Sequence, residues 1–271
     1  MAQHPTPSPD SSRTRSRLLL RLEALFSTLG EVWAFIARFF YEAVKPPYEG
    51  REIIRQCYEV GYKSLGLISL TGFITGIVFT NQSRPSLAEF GATSWLPSLI
   101  SIAIIRALAP LVTALIAAGK VGSNIGAELG SMRVTEQIDA MEVSATNPFK
   151  FLVVSRIIAT TFMIPLLAMY TVFVALMGGY LSVSLNEATS FTAFIEQAFS
   201  SISFLDVFSS LIKSTFFGFT IGAVGSYKGY HSSKGTEGVG RAANTAVVTA
   251  MFLIFIEEVL ASQIVNALRA N

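Results

Sequence analysis

The chain has 271 residues, of which 51% are hydrophobic and 14% are charged, with a formal net charge of +2 at neutral pH. Soluble domains carry about 25% charged residues, so this composition excludes an ordinary soluble protein and indicates a helical membrane protein with several spans. The small net charge gives no indication of nucleic-acid binding. The single cysteine, Cys57, excludes an internal disulfide framework, and His4 and His231 lie too far apart in sequence to suggest a metal site.

The N-terminal segment is predicted to have two parts. Residues 1–16 are rich in Ser, Pro and Arg, which predicts a disordered tail without a secretion signal. Residues 17–45 carry apolar residues at three- and four-residue spacing with charges between them, which predicts an amphipathic helix that ends at Pro46-Pro47. Its charges make spanning costly, so the pattern favours a helix lying in the membrane interface; a helix packed on the bundle is the alternative.

Residues 46–271 are predicted to form an all-α integral membrane domain with five spans. Each apolar run can supply the ~20 residues that a spanning helix needs. The runs cover residues 62–80, 96–118, 151–183, 204–224 and 242–268. Lys and Arg concentrate before the first run, between the second and third, and between the fourth and fifth, which predicts a cytoplasmic N-terminus and a C-terminus on the outside.

Residues 119–148 form a polar, glycine-spaced segment between two apolar runs. Within it, Val134, Ile138 and Met141 have the spacing of one apolar stripe on a short helix. The acidic residues of another face are Glu136, Asp139 and Glu142. Since the predicted orientation puts this helix in the cytoplasm, it could dock in the groove of a soluble subunit; a solvated connector on the membrane is the alternative.

Three glycines in this segment, Gly122, Gly126 and Gly130, repeat every four residues. Small residues at this spacing let helix backbones approach closely. The pattern favours close packing within the bundle over a dimer face.

Ionisable residues deep in the predicted spans include Arg106 and the pair Glu257-Glu258. Such groups are costly in lipid and usually face a cavity or a partner. For Arg106 two partners are open: an acidic group such as Glu257 on another helix, or the phosphate of a bound lipid. Lys213 is expected nearer a span end, with its ammonium group reaching the interface.

The sequence contains neither a phosphate-binding loop of the form GxxxxGK[ST] nor a Ser-His-Asp or metal-ligand constellation. No catalytic or metal-binding residue is therefore predicted, and the energy for any transport is expected from another subunit or an ion gradient. A gradient-driven carrier should show inverted repeats, and the two halves of the chain show none. A membrane scaffold that only anchors a soluble complex is a second alternative.

Residues 127–143, which read AELGSMRVTEQIDAMEV, resemble the signature of the MlaE family, permease subunits of ABC-type lipid transporters that work with MCE-domain proteins. Asn147-Pro148 and residues 152–156 continue the resemblance, as do residues 211–214 and 238–242. The resemblance extends from about Arg51 to the C-terminus.

The resemblance implies a homodimer in the bacterial inner membrane, each protomer having an N-terminal interfacial helix, five spans, a cytoplasmic N-terminus and a periplasmic C-terminus. It further implies a cytoplasmic ABC ATPase and a periplasmic MCE-domain protein as partners, and phospholipid or a related lipid as substrate. This chain would be no enzyme and hold no cofactor, because ATP and magnesium would bind the partner ATPase.

The resemblance also implies roles for individual residues. The coupling helix that inserts into the ATPase would contain Arg133, Thr135, Glu136, Gln137, Asp139 and Glu142. Arg106 and Glu257 are the candidates for a lipid cavity. The chain departs from the family pattern at Ala107, where Glu is common, at Lys120, where Arg is usual, and at Glu257, where the acidic residue is often Asp.

Overall fold

The computed structural model describes residues 9–46, 48–186, 189–233 and 235–270. Within these ranges the regular structure is entirely helical, and five helical segments are long and apolar enough to cross a membrane. The predicted all-α membrane protein with five spans is therefore confirmed. The five segments are Gly50–Glu89, Thr93–Val134, Phe149–Asn186, Phe204–Tyr230 and Thr236–Arg269.

The chain divides into two compact units, Met1–Pro46 and Pro47–Asn271. Among its described residues, the first contains one helix, α1, Pro9–Val44. Residues 9–16, predicted as part of a disordered tail, are helical; residues 1–8 of that tail lie outside the described residues.

The second unit contains ten α-helices among its described residues. They are α2 Gly50–Val60, α3 Leu65–Glu89, α4 Leu96–Ala103, α5 Ala109–Ala117, α6 Ser123–Val134, α7 Gln137–Val143, α8 Ser155–Asn186, α9 Phe191–Ser200, α10 Phe204–Tyr230 and α11 Thr236–Ala270. Short 3₁₀ turns precede α3 and α4, and π-helical turns at Ile104–Leu108, Ala118–Gly122 and Phe149–Val154 interrupt or begin the spans.

The spans alternate in direction, which gives the bundle two distinct ends. At one end the start of α10 meets the last turn of α11, where Arg269 contacts Asp206. At the other end the last turn of α10 approaches α6, and a Cβ on Gly229 would lie 2.9 Å from the Gly126 carbonyl oxygen. We name these the α9 end and the α7 end after the short helices found there.

The predicted glycine ridge lies on the face of α6 that meets α10 and α11. A Cβ added to Gly126 would lie 3.2 Å from the Ala242 carbonyl oxygen, and one on Gly130 would lie 3.4 Å from Val239 Cα. Gly122 faces the Ile221 side chain of α10. The ridge therefore makes its contacts inside the protomer.

Glycines also permit a close backbone approach between α3 and α8, at Gly76 and Gly178. A Cβ on Gly76 would overlap the Ala175 carbonyl oxygen, and one on Gly178 would overlap the Phe73 carbonyl oxygen. Both obstacles are backbone atoms, so a substitution can be accommodated only if the two helices separate.

We expect Gly76→Ala to lower stability by about 1–3 kcal/mol, because the added methyl group overpacks this crossing. Thermal unfolding of the purified protein in detergent measures the effect. Gly66→Ala is the matched control on the same helix, since nothing lies within 4 Å of its added Cβ. It should be neutral or slightly stabilising, because alanine favours helix. Equal unfolding temperatures for the two variants would contradict the proposed α3–α8 contact.

Candidate functional site

The predicted coupling helix forms two helices rather than one. α6 ends at Val134, and α7 begins at Gln137 after a turn in which Glu136 has a φ of 56°. Val134 therefore does not share a helix with Ile138 and Met141, and the prediction of one continuous stripe through these residues was wrong. A left-handed residue breaks the helix at a place where no glycine or proline marks a break.

α7 is anchored by one face and presents the other. The Ile138 side chain is fully buried, and Met141 packs partly buried against the same core. On the outward side, Asp139 and Glu142 are exposed, and Val143 is 89% exposed. The element is a short helix fixed to the bundle at its base, with an acidic surface and one apolar side chain directed outward.

A short ion pair closes the turn between α6 and α7. Arg133 Nη1 lies 2.6 Å from Asp139 Oδ1, and both side chains are about half exposed. Thr135 caps the end of α6 by donating its hydroxyl to the Ser131 carbonyl, 2.9 Å away. Two of the predicted coupling residues, Arg133 and Asp139, thus hold the turn in place, while the exposed Gln137 and Glu142 flank it.

A buried arginine lies at the base of the same region. Arg156 is fully buried on α8, its Nη2 lies 2.9 Å from Glu128 Oε2 on α6, and its Nη1 donates to the Leu152 carbonyl at 2.7 Å. Glu128 is 42% exposed, so water reaches the pair from one side, but loss of Glu128 would still leave the buried guanidinium without its carboxylate. The sequence analysis gave Arg156 no structural role, although its position at the start of an apolar span was a signal available in the sequence.

At the α9 end, Arg106 forms an ion pair with Asp206, not with Glu257. Arg106 Nε lies 2.9 Å from Asp206 Oδ1, and Nη2 donates to Oδ2 at 3.0 Å. Asp206 is fully buried and also pairs with Arg269 from the last turn of α11. This one carboxylate is shared by two guanidinium groups, and it supplies a counter-charge to Arg106 in a chain where Ala107 leaves no acidic neighbour beside it.

Asp206 is itself fixed by a helix cap. Its Oδ2 accepts from the Ser203 backbone N–H at 3.0 Å, while the Ser203 hydroxyl accepts from the Leu205 N–H at 3.1 Å. The reciprocal arrangement is a capping box, and it also places a negative charge at the positive end of α10. The sequence analysis did not use Asp206, although Ser-x-x-Asp before an apolar run is a recognisable capping signal.

Lys213 does not reach the interface as expected. It is 5% exposed, and its Nζ lies 2.8 Å from Glu258 Oε1 and 2.7 Å from the Arg106 carbonyl oxygen. That carbonyl is available because residue 110 is a proline, which has no N–H to donate back along the helix. A free backbone acceptor and a buried carboxylate together hold the ammonium group inside the bundle.

Glu257 lies apart from Arg106 in the described structure. One of its carboxylate oxygens accepts a hydrogen bond from the Thr220 hydroxyl, and the other is buried without a hydrogen-bond partner. A cavity of about 120 Å³ beside Arg106 is lined by Ala107, Lys213 and Arg269 among others, but not by Glu257. This volume admits a small polar group, whereas acyl chains would need the apolar surface outside it.

We expect Asp206→Asn to destabilise the protein by several kcal/mol, on the scale of ~3–5 kcal/mol for a broken buried pair. The amide can still accept from Ser203, so the cap persists while Arg106 and Arg269 lose their counter-charge. Glu237→Gln is the matched control, because its pair with Arg241 is exposed on both sides. Unfolding temperatures in detergent decide the matter: a shift no larger than that of the control would show that Asp206 is not the required counter-ion.

The chain is similar to known permeases over most of its length. The family described as Permease MlaE matches residues 53–264. A probable ABC transporter permease protein of Rickettsia prowazekii is 38% identical over 233 residues, which cover 86% of this chain and 89% of the relative. A probable ABC transporter permease protein of Synechocystis is 36% identical over 236 residues, 87% of each chain. One from Pyropia yezoensis is 33% identical, covering 78% of this chain and 80% of the relative.

The family match covers most of all five spans, the α6–α7 turn, and Arg106, Arg156 and Asp206, whereas Arg269 lies beyond it. These matches favour an ATP-driven transporter component over a gradient-driven carrier. The chain belongs to the MlaE family and is an ABC transporter permease with several membrane spans.

Proposed function

We propose that the chain is the membrane-spanning permease of an ABC transporter that moves phospholipid, or a related lipid, between the inner and outer membranes. A separate cytoplasmic ATPase supplies the energy, so ATP and magnesium bind there and this chain is not an enzyme. Two copies form the permease, and a periplasmic MCE-domain protein receives or delivers the lipid.

The observation that carries this proposal is the geometry of α7. A seven-residue helix is anchored by fully buried Ile138 and fixed by the Arg133–Asp139 pair, while Glu142 and Val143 point away from the bundle. A rigid helix of this kind suits a groove in a soluble partner, where an exposed apolar side chain would become buried. In an ABC permease the partner that must be contacted is the ATPase.

The exposed face of α11 supports a lipid substrate and a second protomer. In α11 only 17% of the most apolar 18-residue stretch is buried, compared with 44% of the corresponding stretch in three of the other spans. One face of the helix carries Val248, Phe252, Phe255 and Val259, each more than half exposed. Such a surface suits acyl chains or an identical helix. The charged cavity at the α9 end lies beside the last turns of the same helix, through Val265 and Arg269.

The proposed orientation gives a direct test of topology. Five spans put the two termini of the membrane unit on opposite sides, and the Lys/Arg bias assigns the N-terminal side to the cytoplasm. A tag after Asn271 should therefore react with a membrane-impermeant reagent added to the periplasm, whereas a tag before Met1 should not. A protected C-terminal tag in intact cells would refute this orientation.

Charge reversal on the outward face of α7 should uncouple the permease from its ATPase. Reversing Glu136 together with Asp139 should do so, but Asp139 also holds the turn, so Glu142→Lys combined with Val143→Asp is the sharper variant. We expect at least a tenfold loss of ATPase affinity, about 1.4 kcal/mol, together with loss of lipid transfer. Affinity is measured by titrating the purified ATPase onto nanodisc-embedded permease.

The control is Glu237→Lys, which reverses an equally exposed carboxylate at the start of α11, near the α7 end. It should leave ATPase affinity and lipid transfer unchanged. Normal ATPase binding by the α7 double variant would remove α7 from the coupling role. If the wild-type complex binds the ATPase but transfers no lipid between donor and acceptor vesicles, the chain is an anchoring scaffold and the proposed function is wrong.

A further inference from the structure

A second polar cavity, of about 410 Å³, lies at the α7 end of the bundle. It is a cleft between α2 with the turn that follows it and the start of α6 with the π-helical turn before it. Ligand sites in proteins commonly have volumes of ~300–1,000 Å³, so the cleft can hold a group the size of a lipid headgroup. Its polar lining includes Arg55, Glu59, Lys63, Lys120, Asn124 and Glu128.

The carboxylates at this cleft already have cationic partners within the chain. Glu59 pairs with Lys63 at 2.7 Å, and Glu128 pairs with Arg156 at 2.9 Å. Arg55, the third cation of the lining, is held 2.8 Å from buried Glu52 behind it. Among the described residues, each of the carboxylates Glu52, Glu59 and Glu128 therefore balances the charge of one cationic side chain.

Lys120 is the cation that this pairing leaves over. Among the residues that the structure describes, it has no carboxylate partner, and its only hydrogen bond is to the Lys63 carbonyl oxygen. An ammonium group has three N–H donors, so two remain for a ligand in the cleft. The excess charge of one positive unit matches a single phosphodiester.

The backbone places Lys120 in a special position. It lies in the π-helical turn Ala118–Gly122, between α5 and α6. Single π-helical turns within α-helical spans are rare and occur frequently at functional sites. The turn brings the Lys120 ammonium group to the Lys63 carbonyl oxygen, near the start of the first span, where the cleft opens.

Aromatic side chains indicate the depth of the cleft in the membrane. Tyr58 and Tyr62 lie on the same stretch of chain as the cleft-lining residues Glu59, Val60 and Lys63. Their rings stack with centroids 4.9 Å apart and are more than half exposed. Tyrosine is enriched where a bilayer meets water, at the level of the lipid headgroups. The two tyrosines therefore favour a position for the cleft at the level of the lipid headgroups, where a phosphate could enter it.

We propose that this cleft binds the phosphate group of a monoanionic phospholipid, such as phosphatidylglycerol, drawn from the leaflet at the α7 end. Lys120 donates to the phosphate, and Lys63 and Arg55 flank it. The leaflet is cytoplasmic if the orientation proposed above is correct, but binding itself does not depend on lipid transport. The site differs from the cavity beside Arg106, which lies at the opposite end of the bundle.

Lipid retention by the full-length protein tests this site. Delipidated protein is equilibrated with micelles containing phosphatidylglycerol or phosphatidylcholine of matched acyl chains, and bound lipid per protomer is measured by native mass spectrometry. We expect the wild type to prefer phosphatidylglycerol, K120Q to lose affinity by about tenfold, equivalent to about 1.4 kcal/mol, and K120R to restore it. K228Q is the matched control, because Lys228 is at the same end but outside the cleft.

Unchanged retention by K120Q, or equal retention of the two lipids by the wild type, overturns the proposal. If K120Q does not fold, K63Q replaces it, since Lys63 is half exposed and its loss should lower retention by a few-fold while K228Q has no effect. Displacement of the lipid by an equal concentration of inorganic phosphate would identify a free-phosphate site and overturn the lipid assignment. Failure of ATPase docking on α7 would refute the proposed coupling but leave this binding result standing.

Discussion

Charges buried among apolar helices have to be neutralised within the chain, and this requirement organises both ends of the bundle. At the α9 end, buried Asp206 joins the second span through Arg106 to the last span through Arg269. At the α7 end, Arg156 joins the third span to the second through Glu128. A charged side chain within a membrane span is costly and usually pairs with another group. The pairs therefore lower the cost of holding charged side chains among apolar helices, and they also fix which helices are neighbours.

The number of spans was predictable from sequence because a bilayer needs ~20 apolar residues and each of five runs supplies them. The pairing of Arg106 was not predictable, since its partner Asp206 lies 100 residues away and follows a polar loop. Reading the second span alone suggested Glu257 or a lipid phosphate. Only the packing of α10 against the second span shows which carboxylate is within reach.

Local breaks were missed for a different reason. The turn at Thr135-Glu136 contains neither glycine nor proline, so the pattern predicted one helix from Arg133 to Glu142. Glu136 adopts a left-handed conformation that is uncommon for a residue with a side chain, and the Arg133–Asp139 pair holds the turn closed. The expected snorkelling of Lys213 failed likewise, because the acceptor made available by Pro110 is not visible in a hydropathy profile.

The second span connects the features on which function is proposed to depend. It has a π-helical turn at each of two positions, and each turn carries a cation: Arg106 near the α9 end and Lys120 near the α7 end. Beyond Lys120 the same helical run continues as α6 and reaches the turn into α7. The second span therefore extends from Arg106, which pairs with Asp206, to the turn that leads into the proposed ATPase contact.

The packing of α6 indicates how a force on α7 would be transmitted. Gly126 and Gly130 bring the α6 backbone against the first turns of α11, where a Cβ would meet atoms 3.2–3.4 Å away. Interfaces this close cannot be compressed, so a displacement of α6 has to move α11 with it. α11 carries the exposed apolar face proposed to contact lipid and ends at Arg269, which holds Asp206. If α7 docks on the ATPase as proposed, this contact between α6 and α11 is the route by which its movement would reach the face proposed to contact lipid.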